Sequence, residues 1–570
     1  ALTLLGGMPE VFFFEQVLFA AIAIEHRRRG GVALGRAALA LAAVNALGIA
    51  LGAVQLVPTA EYLLLSSRVE GLNLDSVMRL ALRPLGVLAF FLPRHYVDAS
   101  GAFHETAALW EGRFSNAPWA LTLYLGPIVA VAAAARLERA SGWLWGGIGL
   151  AFLACAGGET LPGYRWTMAH LPILRAARHP EKFLLVVHGL LAVAVGLGLD
   201  AARRDPARFR RIAVAALTLA SAGALAAAVL GLRPSFARDL LRGDLVVAVG
   251  LALAIAGIAL LGRRHPAAAA TALLLLAAAD LYRVNGRLLP TVAWSELRRV
   301  PRTVQAMTRG DDPLRIYSDG VGRPPVPAFP DAFHQEQDLL LMEVANFHAI
   351  ANLNAPASIN LRDHERLAEL TEAVPPERVA PLFAALNTAY VTSDKDLRRY
   401  PGLEPILTPR TPVEAYLYRV ADLSPRAYVP AEIEPVGHAE EAIDYLRRAA
   451  APAARVAVAA ADVPLGGIPE HMRGTVTLSA YRASEVELDA TMETAGLVVL
   501  SDTFYPGWQA EVDGAPAPIV RANFFCRGVF LDRGAHHVVF RYRPGSHRAG
   551  ALVSALALLV AAAAVLRRSR

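Results

Sequence analysis

Between residues 158 and 182 the sequence gathers Arg165, Arg175, Arg178, His179 and Lys182 against Glu159 and Glu181. A guanidinium forks a phosphate with two hydrogen bonds and an ammonium adds a point charge, so this set suits the phosphate of a lipid-linked sugar. Arg175, Arg178 and Lys182 fall three and four residues apart, on one face if the stretch is helical, although Pro180 interrupts it. Arg175, Arg178, His179 and Lys182 are therefore the candidate substrate-binding residues. Ordinary lipid headgroups, or pairing with Glu159 and Glu181, would also account for the charge.

Other chemistry-bearing residues carry weaker signals. Residues 58–117 hold Glu61, Asp75, Arg94, His95, Asp98, His104, Glu105 and Glu111. His95 with Asp98, or His104 with Glu105, could hold a divalent ion. Their spacing matches no metal motif, so no ligand is assigned and the cofactor stays open. Glu10 opens an apolar run and is either functional or interfacial. Asn45 and Gln55 lie in the next run, where an amide usually bonds a neighbouring helix. Asp280, beside Tyr282 and Arg283, reads as an interfacial anchor. Phe504-Tyr-Pro-Gly-Trp508 could stack on a sugar face, but Trp508 is in phase with Ala510 and Val512, which favours core packing and a Pro-Gly turn. Asp513-Gly514 is a hairpin turn, and Arg541 and Arg543 mark a solvated or lipid-facing strand face. No P-loop, dinucleotide fingerprint, GxSxG or Ser/His/Asp set is present.

The elements that must position these residues follow from composition. The chain is 55% hydrophobic and 19% charged, with a mean hydropathy of +0.38. A single soluble domain, a disordered chain and a coiled coil are excluded. The net charge is +6, carried by Arg in short runs beside apolar blocks, as in membrane-protein inner loops rather than a nucleic-acid footprint. Cys155 and Cys526 build no disulfide framework, and there is no CxxC. Apolar runs at 10–24, 32–57, 118–135, 143–157, 183–199, 212–232, 245–262, 267–282 and 549–566 approach the ~20 residues a membrane helix needs. With one crossing per run, the Arg clusters at 27–29, 136–139, 203–211, 263–264 and 567–570 fall on one side, the cytoplasmic side by the positive-inside tendency. Loops 58–117 and 158–182, and the region 283–548, then lie outside. Residues 84–92 are too short to cross and read as a re-entrant or interfacial piece. The chain opens at Ala1 in mid-hydrophobic run without a basic leader, which suggests a fragment whose upstream spans are missing.

The expected fold is a polytopic α-helical membrane protein with an extracytoplasmic α/β region and a C-terminal β-sandwich, closed by a last transmembrane helix. The membrane domain covers 1–282, with about eight helices. Residues 283–469 mix helical spacing at 363–374 and 440–449 with short strands at 315–317, 389–392 and 455–458. Residues 470–548 are nearly all strand, with alternation at 475–481, 485–489, 508–512 and 537–543. Residues 549–570 are the last span and a basic tail.

The stretch Leu497-Val-Val-Leu-Ser-Asp-Thr-Phe-Tyr-Pro-Gly-Trp-Gln-Ala-Glu-Val-Asp-Gly514 is similar to the signature of the bacterial YfhO-like membrane proteins. So are Arg521-Ala-Asn-Phe-Phe-Cys-Arg-Gly-Val529 and Gly534-Ala-His-His-Val-Val-Phe-Arg-Tyr-Arg-Pro544. Gln55-Leu-Val-Pro-Thr59, the stretch from Leu171 to Phe183, and Leu386-Asn-Thr-Ala-Tyr-Val391 resemble the same family. The resemblance spans nearly the whole chain. It implies a type C glycosyltransferase that takes a sugar from a polyprenyl-phosphate donor on the outer face of the bacterial cytoplasmic membrane. The acceptor would be a cell-envelope glycopolymer such as lipoteichoic acid. It also implies that the catalytic acid lies in a first outer loop upstream of Ala1, so no catalytic residue is assigned. Membrane lipids are expected partners and nucleic acid is not. The rival readings are a non-catalytic envelope scaffold and a transporter of lipid-linked substrate.

Overall fold

A computed structural model describes residues 9–31, 33–67, 90, 124–134, 139–157, 163–170, 180–231, 236–286, 293–308, 310, 313–319, 331–341, 344–354, 360–411, 414–464 and 469–568. The apolar half folds as helices α1 (Pro9–Arg28), α2 (Leu34–Leu51), α3 (Ala53–Leu65), α4 (Arg139–Ala156), α5 (Gly163–His170), α6 (Leu184–Arg204), α7 (Phe209–Gly231), α8 (Phe236–Leu261) and α9 (Pro266–Asn285). Among the described residues, six helical segments are long and apolar enough to cross a membrane: Leu34–Leu51, Leu184–Arg204, Pro206–Val229, Arg242–Leu261, Pro266–Asn285 and Gly545–Arg567. Large apolar side chains on them stay exposed, Leu225 at 68% and Leu559 at 67%, as in a membrane protein.

Two apolar runs fold otherwise than expected. Within 118–135 the helix is a 3-10 turn of eight residues, Pro127–Ala134, which rises only about 16 Å at ~2 Å per residue. This described piece alone is shorter than the ~30 Å of hydrocarbon. The run 32–57 is broken at Gly52, and its second part continues through Pro58 to Leu65.

The chain forms two compact units, Ala1–Ile49 with Glu70–Val292, and Ala50–Val69 with Ala293–Arg570. In the first, Ala202, Ala213, Ala216, Ala256 and Ala259 are buried in one cluster with Phe209, Ile212 and Ile255. Small side chains of this kind let helix backbones approach closely, which is how helices associate where lipid removes the hydrophobic drive. A second cluster stacks Phe14 on Phe152 and Phe183 at 5.2 and 5.0 Å between ring centroids. Asn45 donates to Gln16 Oε1 at 2.6 Å, the helix-to-helix amide bond expected of Asn45.

The second unit holds three sheets. Strands β1 (Arg315–Asp319), β2 (Ala351–Asn352), β3 (Tyr390–Ser393), β4 (Leu403–Leu407) and β5 (Tyr416–Val420) form the first, in the order β2-β1-β3-β5-β4. Helices α10 (Arg362–Ala373) and α11 (Pro376–Ala385) come between β2 and β3. Next come β6 (Ala427–Tyr428), β7 (Glu432–Val436), helix α12 (Ala439–Arg448) and β8 (Arg455–Ala459). The remaining strands are β9 (Gly474–Arg482), β10 (Glu485–Met492), β11 (Gly496–Thr503), β12 (Trp508–Val512), β13 (Ala515–Ala517), β14 (Val520–Ala522), β15 (Cys526–Leu531) and β16 (Gly534–Tyr542). They make a five-stranded sheet, β13-β12-β16-β10-β9, and a six-stranded sheet, β6-β11-β15-β14-β8-β7. Leu488, Val538 and Phe540 of one sheet pack on Val498, Leu500 and Val529 of the other, so the two form a sandwich. The six-stranded sheet takes β6, β7 and β8 from before residue 470 and so runs across the 469/470 boundary read from the sequence.

Strand β16 ends at Tyr542, and the last helix, α13 (Gly545–Arg568), begins almost at once. Helix α3 pairs antiparallel with it. A Cβ on Gly550 would lie 2.3 Å from the Ala53 carbonyl oxygen, so only glycine allows this approach. Four residues on, the Ser554 hydroxyl accepts the Val54 N–H at 2.9 Å and lies 3.2 Å from the Ala50 oxygen and 3.0 Å from the Leu51 oxygen. It stands where the Val54-to-Ala50 helical bond would be, which explains the break at Gly52 without orphaned backbone groups.

Candidate functional site

The turn between β11 and β12 is held by a glycine. Gly507 takes φ +97°, and a Cβ there would meet the Pro544 Cα at 2.9 Å. Its carbonyl accepts the Arg543 N–H at 2.7 Å. Glycine is required on both counts, conformation and space. The turn is thereby fixed to the chain just before α13, and its side chains project around the base of that helix. Tyr505 lies 6.4 Å from Tyr62 of α3 and 6.2 Å from Tyr542, and Trp508 lies 5.4 Å from Tyr542, all between ring centroids. Trp508 also packs against the sandwich core, as its phase with Ala510 and Val512 requires.

Two clefts share this turn as a wall. The smaller, about 200 Å³, is lined by Leu65, Leu361, Arg362, Asp363, Arg366, Phe504, Tyr505, Pro506 and Arg521. Leu65 is the last residue of α3, and Ser66 pairs with Leu361 in an isolated bridge that ties the helix end to the start of α10. Arg362 and Arg366 stand one helical turn apart on α10. Arg521 reaches Asp363 at 3.3 Å and lies 4.5 Å over the Phe504 ring, while Arg366 pairs with Glu440 at 2.7 Å. The lining therefore joins three guanidinium groups and one carboxylate to apolar and aromatic walls, beside the end of an apolar helix. Next to it, His364 faces the Thr503 hydroxyl at 3.1 Å, and burial pushes its imidazole down, so it is neutral at pH 7.

The larger cleft, about 500 Å³, is lined by Phe504, Tyr505, Pro506, Trp508, Gln509 and Glu511, with Ala510, Pro516, Ala517 and Ile519 as its apolar floor. Burial first, then Tyr542 and Glu61, push the Tyr505 hydroxyl up to about 12, so it remains a donor at neutral pH. Glu511 spends Oε2 on Arg541 at 2.5 Å.

Beneath the turn lies a buried charge cluster. Asp502, near the end of β11, takes Arg315 at 2.7 Å, Arg426 at 3.2 Å and Arg527 at 3.0 Å. Tyr481 donates to the same carboxylate at 3.2 Å, and Arg527 stacks 3.8 Å over Trp508. Burial alone would raise Asp502, but the three guanidinium groups and the Tyr481 hydroxyl outweigh it and hold the carboxyl below its usual range. Arg315 also caps the Leu386 and Ser501 carbonyls at 2.6 Å, so the cluster joins the first sheet to the sandwich. The Cys526 thiol, buried beside it, is pushed up to about 12, chiefly by burial, and is inert as a nucleophile.

Of the residues singled out in the basic loop, Arg175, Arg178 and His179 lie outside the described residues. Lys182 is half-buried in a short 3-10 turn, Pro180–Phe183, ahead of α6. His95, Asp98, His104 and Glu105 also lie outside. No group of His, Cys, Asp and Glu that could hold a metal occurs among the described residues. Asp280 accepts from Tyr124 Oη at 2.7 Å and from Arg283 at 2.8 Å and is buried, a helix-to-loop tie rather than an interfacial anchor. Asp513 sits at φ +53° and accepts from the His537 N–H at 2.8 Å and the His536 ring at 2.7 Å, the hairpin role expected of it. Arg541 bridges Glu485 and Glu511 across neighbouring strands. The Arg362, Arg366 and Arg521 set was not anticipated. The four-residue spacing of the first two is visible in the sequence, but nothing there connects them to Arg521.

Compared with known proteins, the chain matches no family model, no curated protein and no solved structure.

Proposed function

We propose that this membrane protein is a glycosyltransferase of the type C class. It would move a sugar from a polyprenyl-phosphate donor to a cell-envelope glycopolymer on the outer face of a bacterial cytoplasmic membrane. One observation carries the lipid-phosphate part: the small cleft combines Arg362, Arg366 and Arg521 with Leu65, Phe504 and Tyr505 at the end of an apolar helix. A phosphate on a long hydrocarbon needs that combination, with forked donors for the anion and apolar walls where the chain enters. The sugar-transfer part rests on the YfhO-like resemblance, and the general base is not among the assigned residues. The outward orientation of 283–548 rests on the Arg clusters at 203–211, 263–264 and 567–570, which are separated by pairs of apolar runs and so fall on one side whether or not 118–135 crosses.

The test uses the full chain in lipid nanodiscs and a polyprenyl phosphate as probe. Arg366→Glu combined with Arg521→Glu weakens binding by more than about tenfold while thermal unfolding stays cooperative. Unchanged binding by the folded double variant would remove the cleft from the account. Loss of one sugar decoration from envelope polymers in a deletion strain separates the enzyme from a scaffold, which would leave the glycan structures intact.

A further inference from the structure

The larger cleft has a composition the lipid-phosphate reading does not use. Its aromatic wall is Phe504, Tyr505 and Trp508, and polar groups surround that wall. The Tyr505 hydroxyl, the Trp508 indole N–H and the exposed Gln509 amide make no hydrogen bond among the described residues. Glu511 gives only Oε2 to Arg541. An aromatic ring offers its face to the C–H side of a pyranose, and hydroxyls around the ring edge need donors and acceptors in mixed supply. A phosphate would be repelled by Glu511, and a purely apolar ligand would leave these polar groups unsatisfied. At about 500 Å³ the cleft is within the roughly 300–1,000 Å³ typical of small-ligand sites.

We infer that the cleft between the Phe504–Trp508 turn and strands β12 to β14 is a saccharide-binding site for a neutral pyranose of a glycan chain. The inference deepens the proposed function and rests on it for the glycan's identity as an envelope polymer. Phe504, Tyr505 and Pro506 belong to both clefts. A sugar in the larger one therefore stands one residue wall away from the phosphate position in the smaller. Arg527, stacked over Trp508 and held by Asp502, fixes the indole plane, so the wall is formed before any sugar arrives.

Saturation-transfer NMR on the full chain in nanodiscs provides the test, with the methyl glycosides of glucose, galactose and N-acetylglucosamine and a glucosylated glycerol-phosphate oligomer as probes. At least one probe receives saturation. Gln509→Ala, at an exposed position, and Tyr505→Phe, which keeps the ring, each reduce its affinity several-fold. Trp508→Ala reduces it by about tenfold or more. Absence of transfer to every probe, or binding indifferent to both Gln509→Ala and Tyr505→Phe, overturns the inference. Polyprenyl phosphate is titrated into the same samples. If it binds and no saccharide does, the saccharide site falls and the lipid reading stands. If a saccharide binds and polyprenyl phosphate does not, the site stands and the lipid reading falls.

Discussion

Asp280 and Asp502 are both buried carboxylates with arginine partners, one in each unit, and they are built in opposite ways. Asp280 has one arginine, Arg283, one turn along the same helix, and one distant partner, the Tyr124 hydroxyl from a loop. Its arginine keeps a 46% exposed side chain, so the pair is solvated from one side. Asp502 gathers three arginines from distant parts of the chain, each under a tenth exposed. The charge of Asp280 is balanced by a single arginine of its own helix. The polar unit instead uses one carboxylate as a node that fixes the first sheet, the sandwich and the Trp508 wall together. Removing a partner from a closed node strands buried charge, whereas removing one from a half-open pair does not.

The largest effect expected from this contrast is at the node. Asp502→Asn leaves three guanidinium groups facing no counter-charge and lowers stability by about 3–5 kcal/mol, read by thermal or denaturant unfolding. The same node sets an acid dependence. Because the Asp502 carboxyl is depressed in the fold, its stabilisation is complete above the unfolded value of ~3.9 and is lost as pH falls through the lower folded value. The parent protein therefore loses stability below about pH 4 more steeply than Asp502→Asn. Parallel acid profiles for the two would show that the node is not ionised as described.

Asp280→Asn tests the other side of the comparison. It keeps an acceptor for Tyr124, and Arg283 can turn to solvent, so the cost is about 1–2 kcal/mol, clearly below that at Asp502. An equal or larger loss would reverse the contrast. The smallest effect belongs to Ser554→Ala. It removes the hydroxyl inserted between Val54 and Ala50 and costs about 0.6 kcal/mol, the average for polar contacts between membrane helices. A gain in stability would mean that α2 and α3 close into one helix when the hydroxyl is gone.

The sequence made some of this legible and hid the rest for physical reasons. Strict alternation exposes one strand face, which is why β9, β10, β12 and β16 could be read directly. Strand β11 is buried on both faces, so Leu497 to Leu500 form a continuous apolar run that periodicity cannot assign. The Asp513-Gly514 hairpin declares itself by its turn residues. The apolar run was bounded at 57, yet α3 continues through Pro58 to Leu65, packed beside Gly550 and Ser554 some 500 residues away. The Asp502 node was invisible because Arg315 of β1, Arg426 just before β6 and Arg527 of β15 meet only where the first sheet packs against the sandwich. Arg521 of β14 likewise meets Arg362 and Arg366 only where that strand lies beside α10. The Arg175 to Lys182 loop drew attention because local spacing is what a sequence displays, while the described cleft is assembled across four segments.

On the proposed function, the small basic cleft beside α3 holds the phosphate end of a lipid. A polyprenyl phosphate carrying a photoreactive group next to the phosphate, activated with the full chain in nanodiscs, tests it most directly by peptide mapping. Labelling is expected to concentrate in peptides spanning 361–366 and 504–521 and to be lost in the Arg366→Glu and Arg521→Glu double variant. Labelling confined to other peptides, and untouched by that variant, would contradict it.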